Sequence, residues 1–509
     1  MEQENLLHKN YRFDDNWSST VMNVDSLQSD ELSVKILKSS SDFFSMRDEW
    51  DRLTDCSSAT IYQSFDWLYN WWEIFAKDLM FPLHIILIYF SGELVGICPF
   101  YIQTVSFSGF RIYQRLRFLG GGLSSGSSKS FSVEEIGLSD YLDIIVKTGF
   151  ENLVANTLST YFIESRYFYD EIDLQNVSEE SVFFKSVVPA LKRKNFDVNI
   201  VQSDTCPYIV LPADLDKFMK GLKPSARRKF KTVQKQLKNE ELSCELKVVN
   251  KANFSDALHS LKVLHQQRWN LLGYQGLFYD ERVEKFQIKL ANELFEKNMV
   301  WFKLFKYKNK VIAARLIYRF KNIYYDYLSG FDSVSDVASL RPGLTLIFSM
   351  IEDAISNGLE TVDLLRGAEQ YKFEISNWAK NNYNILVKVP VQNSGAKLRI
   401  IKAVKAKRKI LQRFHIELSV AEIHFKQHGL IKFLPAYLKF WQFRFKELLD
   451  KRRKNATESP NNNADEPSTN SISNDPTAFS HHSESEYLPP KKTDSKTDNK
   501  NQKERIKIQ

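Results

Sequence analysis

Two stretches of the chain pass through the same order of elements, and this repetition limits the folds open to it. The first opens with a strand pattern in "LSVKIL" (32–37) and helical patterns in "DFFSMRDEWDRL" and "SFDWLYNWWEIFA". An apolar hairpin follows, "LHIILIYF-SGE-LVGICPFYI", with Ser-Gly-Glu as its turn. Then come a strand in "SDYLDIIVK", a helix in "ENLVANTLSTYFI" and a strand in "EIDLQNV". The second stretch has helices around "FSDALHSLKVLHQQRWNLLG" and "VEKFQIKLANELFEK", then the hairpin "MVWFKLFKYKNKVIAARLIYRF". It closes with strand "NIYYDYLSG", helix "LTLIFSMIEDAISNG" and strand "ETVDLL". "SGELVGICPFYI" matches "KNKVIAARLIYR" by role, and "EIDLQ" matches "TVDLL". A duplicated unit of this order predicts an α/β fold, a mixed sheet with helices on its faces. The strands flanking the helix of 344–358 should be parallel, joined by a right-handed crossover.

With 509 residues the chain exceeds one compact core. The expected division is a polar, mobile N-terminus (1–30), two units (31–205 and 206–395), a basic amphipathic helical segment (396–455) and a disordered tail (456–509). That tail is rich in Ser, Asn, Asp, Lys and Pro and nearly free of aliphatic residues. The net charge of +8 is local: residues 397–454 hold 17 Lys and Arg against 4 Asp and Glu, which leaves the remainder acidic. Four cysteines without C-x-x-C spacing imply neither a disulfide frame nor a zinc site, and no metal is expected. The N-terminus lacks the pattern of a signal peptide, and no apolar run reaches the roughly 18 residues that span a bilayer. The expected location is cytoplasmic, with peripheral attachment to the inner face of a membrane open to the basic segment.

The polar groups concentrate in two neighbouring places. "SLRPGLTLIF" leads a loop directly into a helix, with Pro342 and Gly343 at its first turn and Arg341 before it. Free N–H groups, the helix dipole and the arginine together suit a pyrophosphate. Arg341, Gly343, Leu344 and Thr345 are therefore the candidate cofactor-binding residues. Next, "DLLRGAEQYK" ends a strand: Asp363 and Leu365 should face one way, Leu364 and Arg366 the other. Gly367 stops that strand, and a helix then shares Tyr371, Ile375 and Trp378 on one face. Ligands sit at the ends of parallel strands, which makes Asp332, Asp363, Arg366, Glu369, Tyr371 and Lys372 substrate-binding candidates. The same residue types also form local ion pairs and caps.

The ordered pieces "F-D-W-L-x-x-W-W", "L-V-G-I-C-P-F", "L-H-x-x-R-W", "Y-L-S-G-F-D", "R-P-G" and "D-L-L-R-G-A-E-x-Y-K-F" resemble acyltransferases of the CelD/BcsL type in the GNAT superfamily, over roughly residues 33–390. The resemblance implies two tandem GNAT-like domains, akin to FemX-type aminoacyltransferases. It also implies transfer of an acyl group from acetyl-CoA or another acyl-CoA to an amine or hydroxyl, in exopolysaccharide or cell-envelope synthesis. It places "NIYYDYLSG" beside the thioester, "RPGLTL" at the pyrophosphate, and "DLLRGAEQYK" in the wall of the acceptor cleft. GNAT enzymes carry Q/R-x-x-G-x-G/A in the pyrophosphate loop; here Arg341 and Gly343 remain at a different spacing, which keeps an aminoacyl-tRNA donor open.

Such chemistry needs a base, an oxyanion donor and an acid for the thiolate. His265 is the candidate base, with Arg268 and Trp269 on the same helical face as substrate-binding candidates. Tyr325 and Tyr327 alternate onto one strand face, and either could protonate the thiolate. In "KPSARRKFKTVQKQLK" (223–238), Arg227, Lys231, Lys235 and Lys238 should form a basic face able to hold an anionic donor, tRNA included. A non-catalytic scaffold, bound to a membrane or a synthase through 397–454, is the reading from outside enzymology.

Overall fold

The computed structural model describes residues 31–388, apart from Met80, Ala368 and the segments 108–109, 123–136, 166–167, 240–241, 272–275 and 333–335. The first half supplies strands β1 (Leu32–Leu37), β2 (Leu83–Phe90), β3 (Glu93–Phe107), β4 (Phe110–Phe118), β5 (Ile145–Val146), β6 (Glu171–Ser178) and β7 (Asp197–Val210). The second supplies β8 (Cys244–Val248), β9 (Val300–Tyr307), β10 (Lys310–Phe320), β11 (Ile323–Phe331), β12 (Thr361–Asp363) and β13 (Trp378–Lys388). Both hairpins turn through two consecutive left-handed residues, Ser91 and Gly92 (φ 49° and 78°) and Lys308 and Asn309 (φ 46° and 63°). That backbone matches the twist of the paired strands.

The thirteen strands form one mixed sheet, in the order β1-β2-β3-β4-β6-β13-β7-β12-β11-β10-β9-β8, with β5 on β3. From either end the order is the same by role. Each half contributes an edge strand, a hairpin, a fourth strand and a fifth strand parallel to the fourth, β4 with β6 and β11 with β12. At the centre the halves exchange their last strands. β7 pairs with β12 of the second half, β13 pairs with β6 of the first, and the two pair with each other from Trp378↔Tyr208 to Lys388↔Asp197. β7 thus runs straight across residue 205, and the sheet is continuous there.

One apolar cluster spans both halves. The helix Phe65–Trp71 packs against Glu281–Glu296 and β10: the Trp67 ring lies 5.3 Å from Phe286 and 5.7 Å from Tyr318, centre to centre. Trp67, Trp71, Phe286 and Tyr318 are all fully buried, each worth about 1.5–3 kcal/mol in transfer from water. An ion pair at 2.7 Å between Lys297 and the buried Asp66 ties the same two helices. The opposite face of the first half carries a second cluster under the helices Glu151–Glu164 and Val188–Arg193.

Several expectations are corrected. "SDYLDIIVK" is a strand only at Ile145–Val146; Tyr141 has φ 51°, which no strand accommodates. The strand of "TVDLL" ends at Asp363, because Leu365 adopts φ 57°, so the alternation through Arg366 does not hold. The helix after it, Gln370–Ile375, stops before Trp378, which begins β13 and is 58% exposed. The side chain of Arg227 donates to the carbonyls of Met219, Lys220 and Leu222, closing the helix Leu215–Gly221. Arg228 takes its place on the exposed basic face, with Lys231, Lys235 and Lys238. The expectations for 1–30, the basic segment 396–455 and the tail 456–509 lie outside the described residues. Among the described residues no helix is long and apolar enough to cross a membrane.

Candidate active site

The site follows from how β11 and β12 part. They pair only from Ile323↔Thr361 to Tyr325↔Asp363, after which β11 continues to Phe331 while the other chain turns away at Leu365. The opening lies at the strand ends, where backbone groups are released from the ladder. A segment of the first half, Leu138–Tyr141, sits against it. The Tyr141 hydroxyl donates to Asp363 Oδ1 (2.8 Å), the Tyr327 hydroxyl donates to the Leu138 carbonyl (3.0 Å), and Arg366 Nη2 donates to the Ser139 carbonyl (2.8 Å). Trp67 Nε1 donates to Ser139 Oγ at 2.8 Å.

Two ion pairs lie at this junction, and the first crosses it. Arg366 Nε is 2.7 Å from Asp140 Oδ1, and Lys380 Nζ is 2.9 Å from Asp363 Oδ2 and 3.9 Å from the centre of the Tyr141 ring. Burial pushes the Asp140 carboxyl up to about 6 against the opposing pull of Arg366. Burial also pulls the Lys380 ammonium down, but Asp363 beside it more than restores it, so it stays charged. Asp363 Oδ1 further accepts from the backbone of Leu365 (2.9 Å), which holds the left-handed turn. The buried Tyr62 ring lies 5.7 Å from Tyr325, and among the described residues its hydroxyl has no hydrogen-bond partner.

The other candidates fall into two further groups. Lys372 Nζ bonds the Arg366 carbonyl (2.7 Å) and pairs with Glu369 (3.0 Å), bracing the turn from beneath. Tyr371 lies against the buried pair of Arg315 and Asp326. The second group surrounds Phe331. The Arg268 guanidinium sits 4.8 Å over the Phe331 ring, and a Cβ on Gly343 would come within 2.9 Å of that ring. His265 is buried on the helix Phe254–Leu271, its Nε2 accepting from Trp269 Nε1 at 2.9 Å, and burial pulls it down to about 4. Arg341 is exposed with φ 50° and immediately precedes the helix Pro342–Ser356, whose first turn holds no acid and no side-chain cap. Leu344 is half-buried there, while the Thr345 hydroxyl is buried and turned to the carbonyls of Leu340 and Arg341. Asp332 follows β11, its N–H on the Ile312 carbonyl.

Tyr62, Trp67, Asp140, Tyr141 and Lys380 escape a reading of the sequence. Only the acid and tyrosine in "SDYLD" carry a signal, and its apolar alternation hides them in a strand.

Residues 224–373 match the family model of the acetyltransferase (GNAT) domain. That stretch contains β11, the helix Pro342–Ser356 and Asp363 to Lys372, hence one wall of the junction. Among solved structures, FemX is similar with a TM-score of 0.46 and 11% identity, covering 67% of this chain and 95% of its own. L-PGS from Bacillus licheniformis gives 0.40 and 8%, over 70% and 95% of the two chains. A tandem GNAT protein from the clavulanic acid biosynthesis pathway gives 0.37 and 7%, over 71% and 100%. No curated protein matches.

Proposed function

We propose that the chain transfers an acyl group from acetyl-CoA or another acyl-CoA to an amine or hydroxyl, with the donor held by the second half. The contrast between two equivalent helix starts carries this reading. In the first half, Glu151 occupies the first turn of Glu151–Glu164 and its carboxylate accepts from Gly149 N–H at 3.0 Å, so an anion is already present. In the second half the helix Pro342–Ser356 begins with Arg341, no acid and no cap, beside the parting of β11 and β12. That start suits a pyrophosphate through Arg341 and the N–H groups of Gly343 and Leu344. Thr345 shapes the turn with a hydroxyl committed to its own carbonyls.

The acceptor enters at the junction of the halves. There Asp140, rather than His265, is the base: it is buried and titrates near 6, whereas the His265 lone pair is held by Trp269. The acceptor nitrogen or oxygen attacks the thioester carbon, its proton passes to Asp140, and the carbon–sulfur bond breaks. Burial pushes the Tyr325 and Tyr327 hydroxyls well up, so both keep their protons. Tyr327 already donates to Leu138, which leaves Tyr325 to hydrogen-bond the departing sulfur. Arg268, Trp269, Asp332, Asp363, Arg366, Glu369, Tyr371 and Lys372 stand on the acceptor side, with Asp363, Glu369 and Lys372 bracing the turn. A pathway in cell-envelope polysaccharide synthesis and membrane contact through 397–454 belong to this proposal as well.

Calorimetric titration with acetyl-CoA tests it, with Arg341→Glu beside the unaltered chain. Binding that the variant loses supports the donor site; equal heats in both refute it. A charged-tRNA donor is the second reading, favoured by the exposed stripe of Arg228, Lys231, Lys235 and Lys238. It predicts binding that weakens steeply with salt and with charge reversal along that stripe.

A further inference from the structure

Two helix ends from different halves meet at a pair of carboxyls. Asp66 lies in the first turn of the helix Phe65–Trp71, and Glu293 in the last turn of the helix Glu281–Glu296. The Arg47 guanidinium spans them, with Nη1 on Asp66 Oδ1 and Nη2 3.9 Å from Glu293 Oε2. Lys297 Nζ, just past the second helix, is 2.7 Å from Asp66 Oδ2 and 3.6 Å from Asp51 Oδ2. Asn70 Nδ2 donates to Glu293 Oε2 at 3.1 Å. Tyr69 borders the same carboxyl, with Lys289 Nζ 5.8 Å from the centre of its ring. The carboxyls of Asp51, Asp66 and Glu293 thus share the cations of Arg47 and Lys297.

The helix ends decide which carboxyl keeps a proton. A helix N-terminus favours an anion, so Asp66 stands where a carboxylate is stabilised. A C-terminus disfavours one, the last turn around Glu293 contains no basic residue, and Lys297 beyond it is turned to Asp66. Burial pushes the Glu293 carboxyl up to about 7, and the hydrogen bond and charge of Asp66 push the same way. Burial also pushes Asp66 up, but Lys297, Glu293 and Arg47 outweigh it and hold that carboxyl below its usual range. Two carboxyls can hydrogen-bond only while one of them keeps a proton, so Glu293 donates and Asp66 accepts. The next residue, Trp67, donates to Ser139 Oγ beside Asp140. One helix therefore carries both this contact and a support of the junction.

We infer that the Asp66–Glu293 pair is a proton-operated clasp between the two halves: it ties the helix Phe65–Trp71 to the helix Glu281–Glu296 while Glu293 keeps its proton, and loosens when the proton leaves. The clasp goes beyond acyl transfer and does not rest on it. A carboxyl whose proton affinity rises on folding contributes stability that is full below its unfolded value of about 4.3 and lost as pH rises to about 7. The clasp is therefore closed in mild acid and loosened in mild base.

Urea unfolding of the full chain from about pH 4.5 to about 8 tests this, with Glu293→Gln beside the unaltered protein. Glutamine keeps an N–H to donate to Asp66 and an oxygen to accept from Asn70, so it stands for the protonated state at every pH. Across that range the ratio of the two unfolding constants should change by at least about tenfold in favour of the variant, a bound that allows for the partial exposure of Glu293. Asp140 is common to both chains and cancels from the ratio. Hydrogen exchange, corrected for intrinsic rates, should show the amides of Glu281–Glu296 losing protection with rising pH, and losing less in the variant. In an Asp66→Asn background the same substitution should shift the profile less, because the carboxylate that accepts the proton's hydrogen bond has gone. Parallel pH profiles for the unaltered chain and Glu293→Gln overturn the inference, as does an equal shift in the Asp66→Asn background.

Discussion

Replacing Asp363 by asparagine removes one charge from the junction and little else. Asn keeps an oxygen to accept from Tyr141 and from the Leu365 N–H, while Lys380 loses its counter-ion at 2.9 Å. At that distance and an effective dielectric constant of about 20, the attraction is about 6 kcal/mol. Asp363 is 1% exposed and Lys380 16%, so the stranded ammonium regains only part of its hydration. The net loss should be about 3–5 kcal/mol, the range for breaking one side of a buried pair. Urea unfolding followed by circular dichroism, with tryptophan fluorescence as a second probe, measures it. Adding Lys380→Met should recover most of the loss, since removing both charges also removes both desolvation penalties. A single variant within about 1 kcal/mol of the unaltered chain would refute the reasoning, and so would a double variant worse than the single.

Asp140 titrates near 6 in the folded chain and near 3.9 when unfolded, so the folded state keeps its proton longer. The stability this gives is full below about pH 4 and lost as pH rises to about 6, roughly 3 kcal/mol in all. Asp140→Asn should flatten that slope in melts across pH, and should remove the limb of kcat/KM near pH 6. Gly330→Ala should cost about 1–3 kcal/mol in urea melts, because its Cβ would lie 2.6 Å from the His265 backbone nitrogen and 2.9 Å from the Leu261 carbonyl oxygen.

The sequence discloses those elements whose pattern is local. Both hairpins, the parallel pair around Pro342–Ser356 and the amphipathic helices follow from periodicity and turn residues, and the structure contains each. The residues that complete the site do not follow. Ser139, Asp140 and Tyr141 lie in "SDYLDIIVK", whose apolar alternation imitates a strand, and only the left-handed Tyr141 shows otherwise. Lys380 meets Asp363 because β13 docks beside β7, a pairing that no local pattern encodes. Arg227 and Arg228 differ only in whether the helix Leu215–Gly221 ends within reach, which helical spacing leaves undecided. His265 has the residue type of a base, but its environment, set by Trp269 and burial, decides its proton affinity.

The exchange of last strands has a consequence for synthesis. β6 ends at Ser178, yet its partner β13 ends at Lys388. At roughly 5–20 residues per second, about 10–40 s pass between the appearance of the two. Throughout that interval one side of β6 is an open edge, able to pair with any extended chain nearby, including another copy at the same stage. The first half therefore cannot finish folding as it is made, and β13, the last of the described strands to be added, closes both halves at once. A ribosome that stops between the two strands would release a chain with a sheet edge exposed, not a smaller working protein.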